Sequence, residues 1–183
     1  MIYSGKFKVT SPFGQRTLNG QPDDHPGIDV VGITDKHVCA VVGGRVVSST
    51  MLDRATDTTD TWQWGNYVCV LGDDGRRYYY CHMSKRLVSV GRRVKAGEHL
   101  GIEGYTGYCV PEGPRGSHCH FEVRENGVSI DPAPFLGIPN AAGTYGTDWR
   151  ETVRKKFGLS AGTLAYLDGY KYAADLYRKL GEG

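Results

Sequence analysis

The sequence predicts a mainly β fold, of sandwich or open-barrel type, followed by a C-terminal helical hairpin. Three observations carry this. The chain of 183 residues contains 26 glycines, about twice the usual share of about 7%. Short runs rich in Val and Tyr recur between glycine-bearing turn signals over residues 6–136. Nothing in that stretch keeps a long 3.6-residue period, and helical patterning begins only after residue 140.

Taken in order, Val38–Val42 and Arg45–Ser49 flank Gly43 and Gly44, a hairpin-type turn signal. Tyr67–Leu71 and Arg77–His82 flank Asp73, Asp74 and Gly75, a second such signal. His99–Ile102 and Ser117–Arg124 supply two more strands, and residues 50–65, rich in Thr and Asp, read as a surface loop. Farther on, Asp148 can cap a helix through Phe157 that Gly158 stops. Ser160 can cap a second helix running to about Leu180. In that helix Leu164, Leu167, Ala174 and Leu180 share a face, with Tyr166, Tyr170 and Tyr177 on an adjacent one. The expected organisation is a domain over residues 1–139 and a helical appendage over 140–183, packed on the β domain.

Composition narrows the function classes. Charged residues make up 23% and the net charge is +2, which points neither to disorder nor to a nucleic-acid surface. No run reaches the roughly 18 apolar residues of a membrane span, so no membrane insertion is expected. The first nine residues carry no apolar stretch of secretory type. Either a signal has been separated from this chain, or the protein leaves its cell by another route. Five cysteines (Cys39, Cys69, Cys81, Cys109 and Cys119) form no C-x-x-C pair. They read as reduced, small buried hydrophobes rather than a disulfide framework. The sequence carries no signal for the oligomeric state.

Four of six histidines sit in suggestive places. His25 and Asp29 lie four residues apart beside a Pro26-Gly27 bend that can aim both side chains inward. His118 and His120 alternate, so on a strand both imidazoles project to one face while Cys119 and Phe121 face the other. Two imidazoles and a carboxylate on a sheet match the protein ligands of a catalytic zinc whose fourth position is open. His82 ends the tyrosine run and reads as an active-site residue or as a strand-end histidine in water. Glu122 shares the face of His118 and His120 by alternation, and reads either as a group orienting an imidazole or as a solvent-facing residue. Asp131, before Pro132, reads as a turn residue. His37 and His99 read as surface or core histidines with no partner visible.

A series of motifs then appears in order over residues 9–136. Ser11-Pro-Phe-Gly-Gln-Arg16 precedes His25-Pro-Gly-Ile-Asp-Val30, and Gly65-Asn-Tyr-Val-Cys-Val70 precedes Tyr80-Cys-His82-Met-Ser84. Val90–Gly101, Gly104-Tyr-Thr-Gly107 and Ser117-His-Cys-His-Phe-Glu-Val123 close the series. This series resembles the lysostaphin/LytM-type zinc endopeptidases that cut peptidoglycan. The resemblance implies a strongly curved antiparallel sheet with a groove and one Zn2+ per chain held by His25, Asp29 and His120. It also implies that His118 and His82 do the catalytic work, and that the substrate is the peptide part of bacterial peptidoglycan. All five positions carry the required residue types, whereas some members of that family lack ligands and only activate other wall enzymes.

Departures fall at Cys119 and Met83, where the family usually has Leu, in Cys109–Ser117 with Pro111 and Pro114, and in a long Thr50–Gly65 loop. Groove-lining loops set substrate choice, so the last two leave the scissile bond open. The main alternative is a non-enzymatic peptidoglycan-binding or amidase-activating module of the same fold. A cupin-like barrel also uses His-x-His, but has no place for His25 and Asp29. A tail or capsule protein with structural zinc would need a closed four-ligand site.

Overall fold

A computed structural model describes residues 1–55, 57, 60–170 and 172–183 of the chain. The first four strands are β1 (Phe7–Ser11), β2 (Gly14–Leu18), β3 (Gln21–His25) and β4 (Ile28–Gly32). β5 (His37–Cys39), β6 (Gly44–Met51), β7 (Asn66–Gly72) and β8 (Arg77–Tyr80) follow, then β9 (Lys85–Arg86), β10 (Arg93–Val94) and β11 (His99–Ile102). The last three are β12 (Cys119–Glu125), β13 (Val128–Ile130) and β14 (Gly143–Tyr145). Helices are α1 (Ala133–Leu136), α2 (Trp149–Phe157), α3 (Ala161–Asp168) and α4 (Ala173–Glu182).

The main sheet runs in the order β10-β6-β7-β8-β12-β4-β1-β14, with β13 paired to β12. Its pairings are antiparallel and its two ends do not meet, so the mainly β, open architecture expected from the sequence is the one observed. β5, β11 and β9 form a second sheet, and β2 with β3 forms a hairpin. Alternation accounts for the strands: β1 buries Phe7 and Val9 and exposes Lys8 and Thr10. The core centres on Tyr80 and Phe121, whose rings lie 5.0 Å apart, each large buried side chain contributing about 1.5–3 kcal/mol. Tyr80 keeps its hydroxyl satisfied by accepting from the Val41 N–H at 3.0 Å. All five cysteines are free and buried, and burial pushes the Cys81 and Cys119 thiols up, as befits small hydrophobes.

Some local expectations are overturned. Gly43 and Gly44 do not turn a hairpin, because β5 pairs with β11 whereas β6 pairs with β7 and β10. Gly44 instead lets the backbone of β6 approach β7, where a Cβ would collide with the Leu71 carbonyl. The Asp73-Asp74-Gly75 turn does join paired strands, β7 and β8. The centre of the Thr50–Gly65 loop lies outside the described residues, and Asp60–Trp64 forms a short 3-10 turn.

Asp148 and Gly158 bound α2 as the cap residues suggest, the Asp148 carboxylate accepting from the Glu151 N–H. The helix expected from Ser160 to about Leu180 is two helices, α3 and α4. The break lets α4 fold back so that Tyr177, with Val153 and Leu164, forms a small core of its own. Tyr177 is therefore inside and Leu180 half-exposed, the reverse of the face assignment from periodicity. Among the described residues, no helix is long and apolar enough to cross a membrane.

Candidate active site

Strand pairing brings distant residues together. β12 pairs with β4 so that His120 stands opposite Asp29, and β3 ends on His25 just before the Pro26-Gly27 bend. Three atoms converge: His25 Nε2 and Asp29 Oδ1 are 3.2 Å apart, His25 Nε2 and His120 Nδ1 3.0 Å, and His120 Nδ1 and Asp29 Oδ1 2.8 Å. A tetrahedral zinc with bonds of about 2.0–2.1 Å sets its ligand atoms about 3.3 Å apart.

The outward nitrogens decide what these atoms are. His25 donates its Nδ1–H to the Pro12 carbonyl at 2.7 Å. His120 donates its Nε2–H to Glu122 Oε1 at 3.0 Å, and Glu122 is fully buried and held by Arg124. With both rings neutral the inward nitrogens present lone pairs, and with the Asp29 carboxylate they make a nest of acceptors that a cation satisfies; a ring that takes a second proton donates to Asp29 instead. Burial opposes ionisation of Asp29, yet hydrogen bonds with His120 and His25 hold its pKa well below the usual carboxylate value. Burial likewise pulls the His120 pKa down, but its hydrogen bonds to Asp29 and Glu122 carry it up to about 9. Proton and metal thus compete for this centre below that pH.

Two more imidazoles flank the centre. His118 donates its Nδ1–H to the Gly116 carbonyl at 2.7 Å and turns Nε2 toward Asp29 Oδ1, 3.5 Å away. His82 donates its Nδ1–H to the Thr106 carbonyl at 2.8 Å, and its ring centroid lies 4.6 Å from that of His118. The His82 backbone is left-handed, with φ 63°, a conformation that costs a non-glycine residue about 1–3 kcal/mol and is concentrated at functional sites. Burial, then His118 and His120, pushes the His82 pKa down to about 3.

All six residues singled out from the sequence (His25, Asp29, His82, His118, His120 and Glu122) line one cleft of about 550 Å³. One wall is the β2–β3 hairpin, with Arg16, Asp23 and Asp24; the other carries Tyr108, Pro111 and Arg115, with Gln63 and Trp64 alongside. The residue that precedes the Cys109–Ser117 segment meets the Thr50–Gly65 loop: the Tyr108 ring packs edge-on against Trp62 at 6.2 Å, and its N–H donates to the Gln63 carbonyl at 2.8 Å.

Sequence reasoning missed two residues. Arg16 Nη1 donates to Asp29 Oδ2 at 3.1 Å and so fixes which carboxylate oxygen faces the centre, while its Nε donates to Asp23 at 2.6 Å. Arg16 lies in the first motif, but nothing in the sequence ties it to position 29. Glu103 is buried and accepts from the Tyr3 hydroxyl, the Gly32 N–H and Lys36, each at 2.7 Å, and from Ser117 at 3.1 Å. That network braces the segment entering His118, and only the folded chain reveals it.

Glu122→Gln should weaken any metal ion held by His120 about 10–100-fold without unfolding the chain, because an amide oxygen still accepts from His120 Nε2 but carries no charge to raise its basicity. Competition with a chromogenic chelator measures this, and unchanged affinity would remove Glu122 from the site.

Residues 23–132 match the sequence profile of peptidase family M23. Over 135 residues the chain is 32% identical to the glycyl-glycine endopeptidase ALE-1 of Staphylococcus capitis, covering 71% of this chain and 34% of that protein. Over 120 residues it is 28% identical to the murein hydrolase activator NlpD of Escherichia coli, covering 66% of this chain and 28% of that protein. The chain therefore spans about a third of the length of these relatives. The crystallised catalytic domain of lysostaphin from Staphylococcus simulans superposes with a TM-score of 0.57 at 30% identity, covering 72% of this chain and 92% of that one.

Proposed function

The chain belongs to peptidase family M23, and on that premise we propose that it is a zinc-dependent endopeptidase hydrolysing peptide bonds of bacterial peptidoglycan, in a cross-bridge or a stem peptide. The observation that carries the proposal is the acceptor nest of His25 Nε2, Asp29 Oδ1 and His120 Nδ1 with two further imidazoles turned toward it. Those three atoms would hold one zinc ion per chain. When bound, zinc lowers the pKa of a water from about 16 toward about 7 and polarises the scissile carbonyl.

The chain's own groups supply the rest. His118 has its Nδ1–H committed to Gly116, so its Nε2 is free to take a proton and later return it to the leaving amine, a contribution of about 10²–10⁴ in rate. His82 has its Nδ1–H committed to Thr106, so its Nε2 donates to the developing oxyanion only when both nitrogens carry protons. Its low pKa keeps it neutral in the resting site, and negative charge building up beside it during the reaction favours uptake of a proton from solvent at Nε2, which gives the donating form. Arg16 and Glu122 hold Asp29 and His120 in place. Catalysis belongs to residues 1–139 and the site of action is the bacterial cell wall. Residues 140–183 are an appendage that also lends β14 to the main sheet.

Purified peptidoglycan of several wall types should release new amino groups when treated with the protein. Release should stop with a chelator and return with zinc, and the new N-terminal residue identifies the bond. A specific observation favours a second reading, a non-enzymatic activator or wall-binding module, since NlpD is among the relatives. Failure to release amino groups from any wall, by a chain holding zinc at His25, Asp29 and His120, would move the assignment there.

A further inference from the structure

We propose that Asp35, His37 and His99 form a second transition-metal site, built on the small sheet and bordered by the C-terminal helix α4. β5 and β11 are antiparallel neighbours, with His37 opposite Ile102 and His99 opposite Cys39. Their imidazoles stack with centroids 4.4 Å apart and planes 15° from parallel. Asp35 Oδ1 lies 2.8 Å from His37 Nδ1. One ligand atom from each of the three residues lies within 4.8 Å of the others. Asp175, on α4, brings a second carboxylate to 3.7 Å from His99 Nε2.

Asp35 is already held in place, accepting from the Ser4 hydroxyl at 2.8 Å and from the His37 N–H at 3.1 Å. The histidines are the adjustable members, their side chains 37% and 25% exposed, and turning the stacked rings out of parallel lets their in-plane lone pairs converge at the roughly 3.3 Å spacing of a tetrahedral ion. Two imidazoles with one or two carboxylates suit Zn2+, Ni2+ or Cu2+. None of these residues takes part in the cleft of His25 and His120. The site joins the segment entering β5 to β11, and Asp175 of α4 borders it through His99, so a bound ion stabilises the small sheet.

The test is metal stoichiometry on the full chain, by titration with Zn2+ and mass spectrometry of the equilibrated protein. The unsubstituted chain should hold two ions and His37→Ala/His99→Ala one, with the second equivalent raising the melting temperature only of the former. One ion on the unsubstituted chain, or two on the double variant, overturns the proposal. Should the double variant not fold, the unsubstituted chain still decides: a second equivalent of Co2+ should shift the ring resonances of His37 and His99. A second equivalent that perturbs only His25, His82, His118 and His120 sinks it.

Discussion

His118→Ala should retain zinc at its original affinity while peptidoglycan hydrolysis falls about 10²–10⁴-fold, whereas His120→Ala should lose both. The difference follows from where each imidazole points. His120 Nδ1 lies 3.0 Å from His25 Nε2 and 2.8 Å from Asp29 Oδ1, inside the acceptor nest. Its removal leaves two protein ligands where a catalytic zinc needs three, and strips buried Glu122 of one partner. His118 reaches Asp29 at 3.5 Å, packs beside His82 and is anchored to Gly116 outside the nest. Its loss removes a proton acceptor and leaves the donor set whole. Affinity is read by chelator competition with one equivalent of zinc offered, and turnover by release of amino groups from peptidoglycan. Equal loss of metal in the two variants would overturn the assignment of roles.

How much of this was legible in the sequence depends on the range of the interaction. Local signals carried far: the alternation that sends His120 and Glu122 to the opposite face from Cys119 and Phe121 is a property of any strand, and the Asp148 cap and Gly158 stop are contained within one helix. The cleft residues were found because their motifs lie in a recognisable order, although the register that sets His120 opposite Asp29 across 91 residues is visible only in the folded chain. Where reading failed, a nonlocal contact outweighed a local preference. Gly44 serves the close approach of β6 to β7 rather than a turn, and Tyr177 is drawn inward because its hydroxyl reaches Asp168 at 2.9 Å and the Leu164 carbonyl at 3.2 Å. Arg16, Glu103 and the His37–His99 stack were illegible for the same reason: each joins segments whose spacing carries no periodic or motif signal.

Gly27→Ala should weaken zinc binding by about 10–100-fold, the range seen when the groups that orient a metal ligand are disturbed. The cause is space. A Cβ at residue 27 would lie 2.6 Å from the Phe121 carbonyl oxygen, 2.7 Å from His120 Cε1 and 2.8 Å from His120 Nε2. Neither neighbour yields easily. Phe121 belongs to the β12–β4 ladder, and the His120 ring is held between Asp29 and Glu122. The methyl group must therefore push β4 away from β12 or swing the ring out of the nest, a strain of about 1–3 kcal/mol that falls on the geometry of the three donors. Gly75→Ala serves as the control. Gly75 has φ 84° with open space around its would-be Cβ, so that substitution should lower the melting temperature through backbone strain and leave zinc affinity unchanged. Chelator competition and thermal melting of both variants separate the two effects. If Gly27→Ala melts lower but binds zinc as tightly as the unsubstituted chain, contact of Gly27 with His120 does not hold the donor set together.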